Sequence, residues 1–271
     1  MLEKTIIITD ADGTLLPDNK QILDIDKAAI AEIVKSGGYF TIATGRGTAL
    51  ARVIVDEIGR DLMKLPAVIF NGAAVYDYTA EKFLWQCCLE ESGQAYVRML
   101  MEKFPGIGSE VLIGGEVYVV NTNKYEEMHL DFGNVDPIRC KFDEVPSENW
   151  LKALFVDHPK RIAELEKFVR ANPCESVHAV CSGDMFFEVL PRGINKWTGI
   201  SRMLELTGMQ DYRTVAVGDY YNDLEMLEHS DIGVATGNAE PALKDIADFT
   251  VCNCNNGALH EVVEELKRRT T

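Results

Sequence analysis

The sequence predicts an α/β protein: a parallel sheet covered by helices, with an α+β domain inserted into it. Three observations carry that prediction. Short apolar runs alternate with helical patterns at the start of the chain. The same alternation returns at its end. The stretch between them changes to hairpin-like joins.

TIIIT (5–9) is a β-branched run of the kind buried on both faces of a sheet. Residues 23–36 space their apolar side chains along one helix face and stop at Gly37-Gly38. YFTIAT (39–44) follows as a strand, residues 48–60 as a helix, and AVIF (67–70) as a third strand closed by Asn71-Gly72. The order so far is βαβαβ. Late in the chain, 196–207 reads as a helix, TVAV (214–217) as a strand and 222–229 as a short helix. DIGVAT (231–236) is a strand, 240–246 a helix, DFTVC (248–252) a strand and 257–269 a charged helix.

In the middle, strand patterns such as FLWQCCL, SEVLIG, EVYVVN and WLKALFV alternate with helical ones such as QAYVRMLMEKF, and Gly114-Gly115 joins two strands as a hairpin. We therefore place a Rossmann-like core over residues 1–82 and 190–271, and the inserted α+β domain over 83–189. Loops tolerate such insertions because their ends already lie close together.

The totals narrow the function. The chain has 271 residues, 46% of them hydrophobic, enough for two cores. A formal charge of −16 argues against nucleic acid and anionic membrane as partners. It favours a divalent cation wherever carboxylates cluster, and obliges any phosphate site to carry its own positive charge. The seven cysteines are irregularly spaced and read as reduced thiols rather than zinc ligands. No apolar run approaches the ~20 residues of a membrane span, and the start of the chain lacks the pattern of a signal peptide. The expected compartment is the cytoplasm.

Ligands of open parallel sheets bind beyond the carboxyl ends of the strands. Those ends carry Asp10-Ala11-Asp12, Thr44-Gly45-Arg46, Asn71-Gly72 and Gly218-Asp219 with Asn222-Asp223, while Lys196 opens the helix after the insert. Each cluster alone has an ordinary reading: a turn at Asp12-Gly13, a helix cap at Asn222, a solvated Lys196. Together, Asp10, Asp12, Asp219 and Asp223 would crowd one crevice with charge that only a cation relieves. Mg2+ suits oxygen ligands of this kind. Lys196 and the Thr44 hydroxyl could then neutralise and orient phosphate oxygens. One carboxylate could attack phosphorus and a second, two residues on, could move the proton. A Walker loop and GxGxxG are both absent.

DADGTLL, TIATGR, the lysine of PRGINKWTGI and VGDYYNDLEML resemble, in order, the four motifs of the haloacid dehalogenase-like (HAD) phosphohydrolases. FNGA after the third strand, and an α/β cap between it and the lysine motif, resemble the Cof-type subfamily. The resemblance implies that Asp10 is nucleophile and magnesium ligand, and that Asp12 is the acid/base residue lending the metal its backbone carbonyl. It implies Thr44, Gly45, Lys196, Asn71 and Gly72 around the substrate phosphate, and Asp219 as the remaining side-chain ligand. Asn222 and Asp223 match supporting positions. Arg46 is open between touching substrate and capping a carboxylate. Ala11 stands where the family often has a larger apolar residue.

The leading expectation is a Mg2+-dependent phosphatase for small phosphomonoesters, such as sugar phosphates or phosphorylated cofactors, as a monomer or dimer with the insert as a lid. A phosphosugar mutase on the same scaffold, and a non-catalytic binding protein that keeps the fold, are the competing readings.

Overall fold

A computed structural model describes residues 2–133 and 136–270. It divides into two compact units, Met1–Arg46 with Ala51–Trp85 and Lys196–Thr271, and Gly47–Leu50 with Gln86–Asn195.

The first unit begins with β1 (Thr5–Thr9), α1 (Asp24–Lys35), β2 (Tyr39–Ile42) and α2 (Thr48–Ile58), the last of which starts in the second unit's Gly47–Leu50 segment. Then come β3 (Ala67–Ile69), β4 (Ala74–Asp77) and β5 (Lys82–Gln86). The insert supplies α3 (Glu91–Lys103), β6 (Gly108–Ile113), β7 (Glu116–Asn121), α4 (Lys124–Gly133), β8 (Ile138–Arg139), β9 (Trp150–Val156), α5 (Pro159–Ala171), β10 (Val177–Gly183) and β11 (Phe186–Pro191). The first unit resumes with α6 (Lys196–Thr207), β12 (Arg213–Gly218), α7 (Leu224–His229), β13 (Ile232–Ala235), α8 (Pro241–Ile246), β14 (Phe249–Thr250) and α9 (Ala258–Thr270).

In the first unit, five parallel strands run in the order β14-β13-β12-β1-β2. All five residues of β1 are buried, as its unbroken β-branched run requires of a strand covered on both faces. Ile6, Ile8 and Ala216 pack with Ile200 and Met203 of α6 and with Met226 and Leu243. Each fully buried side chain of this size contributes roughly 1.5–3 kcal/mol before the entropy of ordering it is subtracted.

AVIF differs from expectation. Its strand, β3, belongs to a separate sheet in the order β3-β4-β5 and reaches the parallel sheet through a bridge between Val68 and Ala43. FLWQCCL also differs: most of it is β5, in that same sheet and in the first unit, so the unit boundary falls after Trp85 rather than Lys82. A short apolar strand reads alike whichever sheet it joins. On the return, the first unit resumes at Lys196 rather than Leu190, because β11 is paired along its length within the insert.

The insert is a sheet ordered β10-β11-β9-β6-β7-β8, antiparallel except at β7–β8. Its core gathers Leu100, Val111, Trp150, Phe155, Leu165 and Phe187. Neither α4, β4 nor β8 was legible as an element from the apolar pattern.

Candidate active site

β1 ends one residue before Asp10, whose N–H still donates to Val217 O of β12 at 2.9 Å. The first catalytic candidate is thus fixed by the two central strands. The chain then turns sharply, with Leu16 N–H donating to Ala11 O at 2.7 Å. Gly13 has φ +84°, and a Cβ there would lie 2.4 Å from Asp219 Oδ2. Glycine is therefore needed twice over, for the left-handed backbone and for the close approach. Thr14 follows and donates its hydroxyl to Asp219 Oδ1 at 2.7 Å. Asn238 Nδ2 donates to Gly13 O at 2.7 Å from the far side.

Lys196, the first residue of α6, is fully buried. Its Nζ lies 2.5 Å from Asp10 Oδ1 and 2.5 Å from Asp223 Oδ1. The other oxygen of Asp223 accepts the backbone N–H groups of Asp219 at 2.9 Å and Tyr220 at 3.2 Å. Asp223 therefore orients both the lysine and the loop that carries Asp219. Burial pushes the Asp10 carboxyl up to about 7, against the pull of Lys196 and with a further push from Asp223. Burial, with the charges of Asp10 and Asp223, raises Asp219 to about 8. Burial alone would lower Lys196, but Asp10 and Asp223 outweigh it and raise the ammonium above its ordinary range.

Asp12 has a different environment. Arg46 forks onto it, Nε to Oδ2 at 2.7 Å and Nη2 to Oδ1 at 2.8 Å. Lys20 Nζ donates to the same Oδ1 at 2.8 Å. Burial works against the charged form, but the Arg46 hydrogen bonds and charge and then Lys20 overcome it, holding Asp12 down at about 2. In this arrangement Arg46 caps a carboxylate.

Thr44 is buried and accepts the Arg46 N–H at its hydroxyl, 3.1 Å away. Gly45 is backed by Asn71, whose Nδ2 would lie 3.0 Å from a Cβ there. Asn71 Oδ1 accepts from Asn222 Nδ2 at 3.0 Å, while Asn71 Nδ2 is a buried donor with no hydrogen-bond partner among the described residues. That orphan donor suits an anion's oxygen. The turn holding it is left-handed through Phe70 (φ +53°), Asn71 (φ +51°) and Gly72 (φ +99°), a strained run of the kind that collects at functional sites.

The structure thus brings Asp10, Lys196, Asp219 and Asp223 together at the ends of β1 and β12. Thr44, Gly45, Asn71, Gly72 and Asn222 form an adjoining group, and Asp12 pairs with Arg46. Sequence reasoning missed Thr14, Lys20 and Asn238. A hydroxyl four residues after Asp10 was a readable signal for the first; the other two depend on loop returns that no local pattern encodes.

Carboxylate oxygens of Asp10, Asp219 and Asp223 lie within 4.8 Å of one another, close enough to share a metal ion. Two of the three are pushed up, by burial first and by neighbouring carboxylates after it, and a cation would offset both, so the donor set fits a hard divalent ion. The side chain of Asp12 is not in this group, because Arg46 and Lys20 hold it; Asp223 is there instead. Among the described residues, no helix is long and apolar enough to cross a membrane.

The sequence model of one family, the haloacid dehalogenase-like hydrolases, matches residues 7–263. The chain belongs to that family. Within it the Cof-type branch applies, and this HAD hydrolase is a phosphatase-type enzyme. YcsE of Bacillus subtilis, a 5-amino-6-(5-phospho-D-ribitylamino)uracil phosphatase, is 26% identical over 258 residues, 93% of this chain and 92% of its own. YkrA, also of Bacillus subtilis, is 27% identical over 265 residues and 98% of each chain. The solved structure of the subclass IIB sugar phosphatase BT4131 superposes with a TM-score of 0.86 at 21% identity, covering 97% of this chain and 99% of the other. A haloacid dehalogenase-like hydrolase from Bacteroides thetaiotaomicron gives 0.82 at 22% identity, with 97% and 99% covered. At these identities the structural likenesses establish the HAD fold. The enzymes of this family generally use a divalent metal.

Proposed function

We propose that this HAD hydrolase is a Mg2+-dependent phosphatase of small phosphomonoesters working through an aspartyl-phosphate on Asp10. The observation that carries the reading is Lys196 Nζ held 2.5 Å from both Asp10 and Asp223. A fully buried ammonium beside the nucleophile candidate is placed to meet phosphoryl oxygens as they arrive.

Asp10 attacks phosphorus while the bond to the leaving oxygen breaks, and that oxygen takes its proton from Asp12, which must first acquire one as substrate binds because Arg46 and Lys20 hold its carboxyl ionised. In the second half Asp12 takes a proton from water, the water oxygen bonds to phosphorus, and the phosphorus bond to Asp10 breaks with its electron pair returning to the carboxylate. Thr44, Gly45 and the orphan Asn71 amide are assigned to the phosphoryl oxygens. Asp10 and Asp219, the Asp12 carbonyl and the neighbouring Asp223 would hold the metal. When bound, Mg2+ supplies positive charge to the phosphoryl oxygens and relieves the carboxylate crowding.

The substrate class we propose, sugar phosphates or phosphorylated cofactors, rests on relatives whose names describe a sugar phosphatase and a phosphoribitylamino-uracil phosphatase. The insert is assigned the choice among them. We further propose a cytoplasmic enzyme, monomeric or dimeric, with no nucleic-acid or membrane partner. The experiment is a phosphate-release screen over a few dozen metabolites, with Mg2+ and with excess chelator, followed by acid-quench labelling from an active substrate. Label should appear on Asp10. Turnover in excess chelator, or label elsewhere, would sink the respective part of the reading.

A further inference from the structure

Asn238 joins three loops of the first unit through one amide. It lies three residues beyond β13, exposed at the carboxyl end of the parallel sheet. Nδ2 donates to Gly13 O, in the turn after β1, at 2.7 Å and to Asp219 Oδ2, in the loop after β12, at 3.4 Å. Oδ1 accepts the Cys254 N–H, in the segment before α9, at 3.0 Å. Both donor hydrogens and the oxygen of the side chain are thus engaged.

A backbone pinned on both sides presents it. Gly237 N–H donates to Cys252 O at 3.0 Å, and Ala239 N–H to Thr236 O at 3.0 Å. A Cβ on Gly237 would lie 2.8 Å from Asn253 N, so glycine lets this loop rest on the next. Glu240 N–H then donates to Asp219 O at 2.9 Å. The backbone and the carboxylate of Asp219 are therefore both held from the loop after β13.

The chemistry of the donor decides what this hold does. Thr14 gives Oδ1 of Asp219 a neutral hydroxyl, and Asn238 gives Oδ2 a neutral amide. A lysine or arginine at 238 would also orient the carboxylate, but its charge would compete with a metal cation for it. A neutral amide fixes direction and leaves the negative charge available. Carboxylates that bind metals are commonly held by outer hydrogen bonds of this kind. Building on the reading of Asp219 as a metal ligand, we propose that Asn238 is a positioning residue: it aims the Asp219 carboxylate at the metal without neutralising it.

The experiment titrates the whole metal-free chain with MgCl2 and, separately, with CaCl2, and reads each dissociation constant from the rise in melting temperature. Mg2+ demands near-octahedral geometry, whereas Ca2+ accepts irregular coordination. Loss of an outer hydrogen bond costs about 10–100-fold in metal affinity. Thr14 still holds Oδ1, so Asn238→Ala is expected at the low end: about tenfold weaker for Mg2+ and less than about threefold weaker for Ca2+. Asn255→Ala is the control. It cuts a neighbouring tie that does not include Asp219, in which Asp18 N–H donates to Asn255 Oδ1 at 3.0 Å and Asn255 Nδ2 to Asp18 Oδ2 at 3.0 Å. It should lower the metal-free melting temperature by an amount similar to Asn238→Ala while leaving both affinities within about twofold. Unchanged Mg2+ affinity in Asn238→Ala, equal losses for the two cations, or the same loss in Asn255→Ala would overturn the assignment. Mg2+ binding that survives Asp219→Asn would sink the metal reading instead, so the two can fail separately.

Discussion

Gly199 lies against Gly72: a Cβ on Gly199 would fall 2.7 Å from Gly72 Cα and 2.5 Å from Val68 Cγ1. This contact seats α6 directly on the left-handed turn after β3, one helical turn from Lys196. The ammonium reaches Asp10 because the helix can come that close. Gly199→Ala should therefore push α6 outward. Overpacking of this kind costs about 1–3 kcal/mol, and the displaced lysine should lower turnover beyond what the melting shift explains. Thermal unfolding and kcat measured on the same preparation check both. An alanine variant with unchanged melting and unchanged kcat would contradict the seating role.

Lys196 itself neutralises two buried carboxylates. Lys196→Met keeps the side-chain length but leaves Asp10 and Asp223 facing each other without a cation. Breaking a buried charge group costs about 3–5 kcal/mol, so the variant should unfold at markedly lower denaturant. Turnover should fall below detection with every substrate, since the phosphoryl oxygens lose the same charge. Urea unfolding followed by circular dichroism, alongside phosphate release, reads the two effects.

The strand-end residues were legible because each closes a buried parallel strand, and such strands are near-continuous apolar runs. Asp10 after TIIIT and Asp219 after RTVAVG stand out for that reason alone. Their partners were less legible. Asp12 meets Arg46 because β2 lies beside β1, and meets Lys20 because Asn255, 237 residues from Asp18, ties the loop back. Asp223 reads as a supporting residue, yet it holds Lys196 with one oxygen and two backbone N–H groups with the other. β4 and β5 escaped the parallel-sheet reading because the left-handed run at Phe70–Gly72 turns the chain back on itself, so that β4 pairs antiparallel with β3. For the Asp12–Arg46 pair, the Asp10–Lys196 pair and the Asp18–Asn255 tie a long-range contact decides the outcome, and local periodicity holds no record of it.

Glu126 on α4 and Glu110 on β6 are both buried in the insert, and neither oxygen of Glu126 has a hydrogen-bond partner among the described residues. Burial, then the charge of Glu110, pushes Glu126 up to about 11 from an ordinary 4.5. Its folded form is thus the neutral acid across the physiological range. Because the folded pKa lies above the unfolded one, its stabilising contribution is complete below about pH 4.5 and is lost progressively as pH rises towards about 11. The slope for one such proton is at most about 1.4 kcal/mol per pH unit. Glu126→Gln keeps the shape and needs no proton. The variant should be the more stable protein at pH 8, with the difference shrinking towards pH 5. Urea midpoints at those two pH values test this, and a difference that grew on acidification would have the wrong sign.

Metal binding should also depend on pH, in the opposite sense. Asp10 and Asp219 are raised to about 7 and about 8 by burial and mutual repulsion. A hard cation binds the ionised forms, so loading the site at pH 6 must first displace protons that are already gone above pH 8. A ligand that binds only the folded state raises the melting temperature with its occupancy. The rise on adding a fixed concentration of Mg2+ should therefore be larger at pH 8.5 than at pH 6. Asp219→Asn should abolish most of that rise, while Glu126→Gln, whose carboxyl belongs to the insert, should leave it intact. Differential scanning fluorimetry with and without Mg2+ at the two pH values reads the effect without any substrate. A rise independent of pH, or one that survives Asp219→Asn, would place the cation elsewhere.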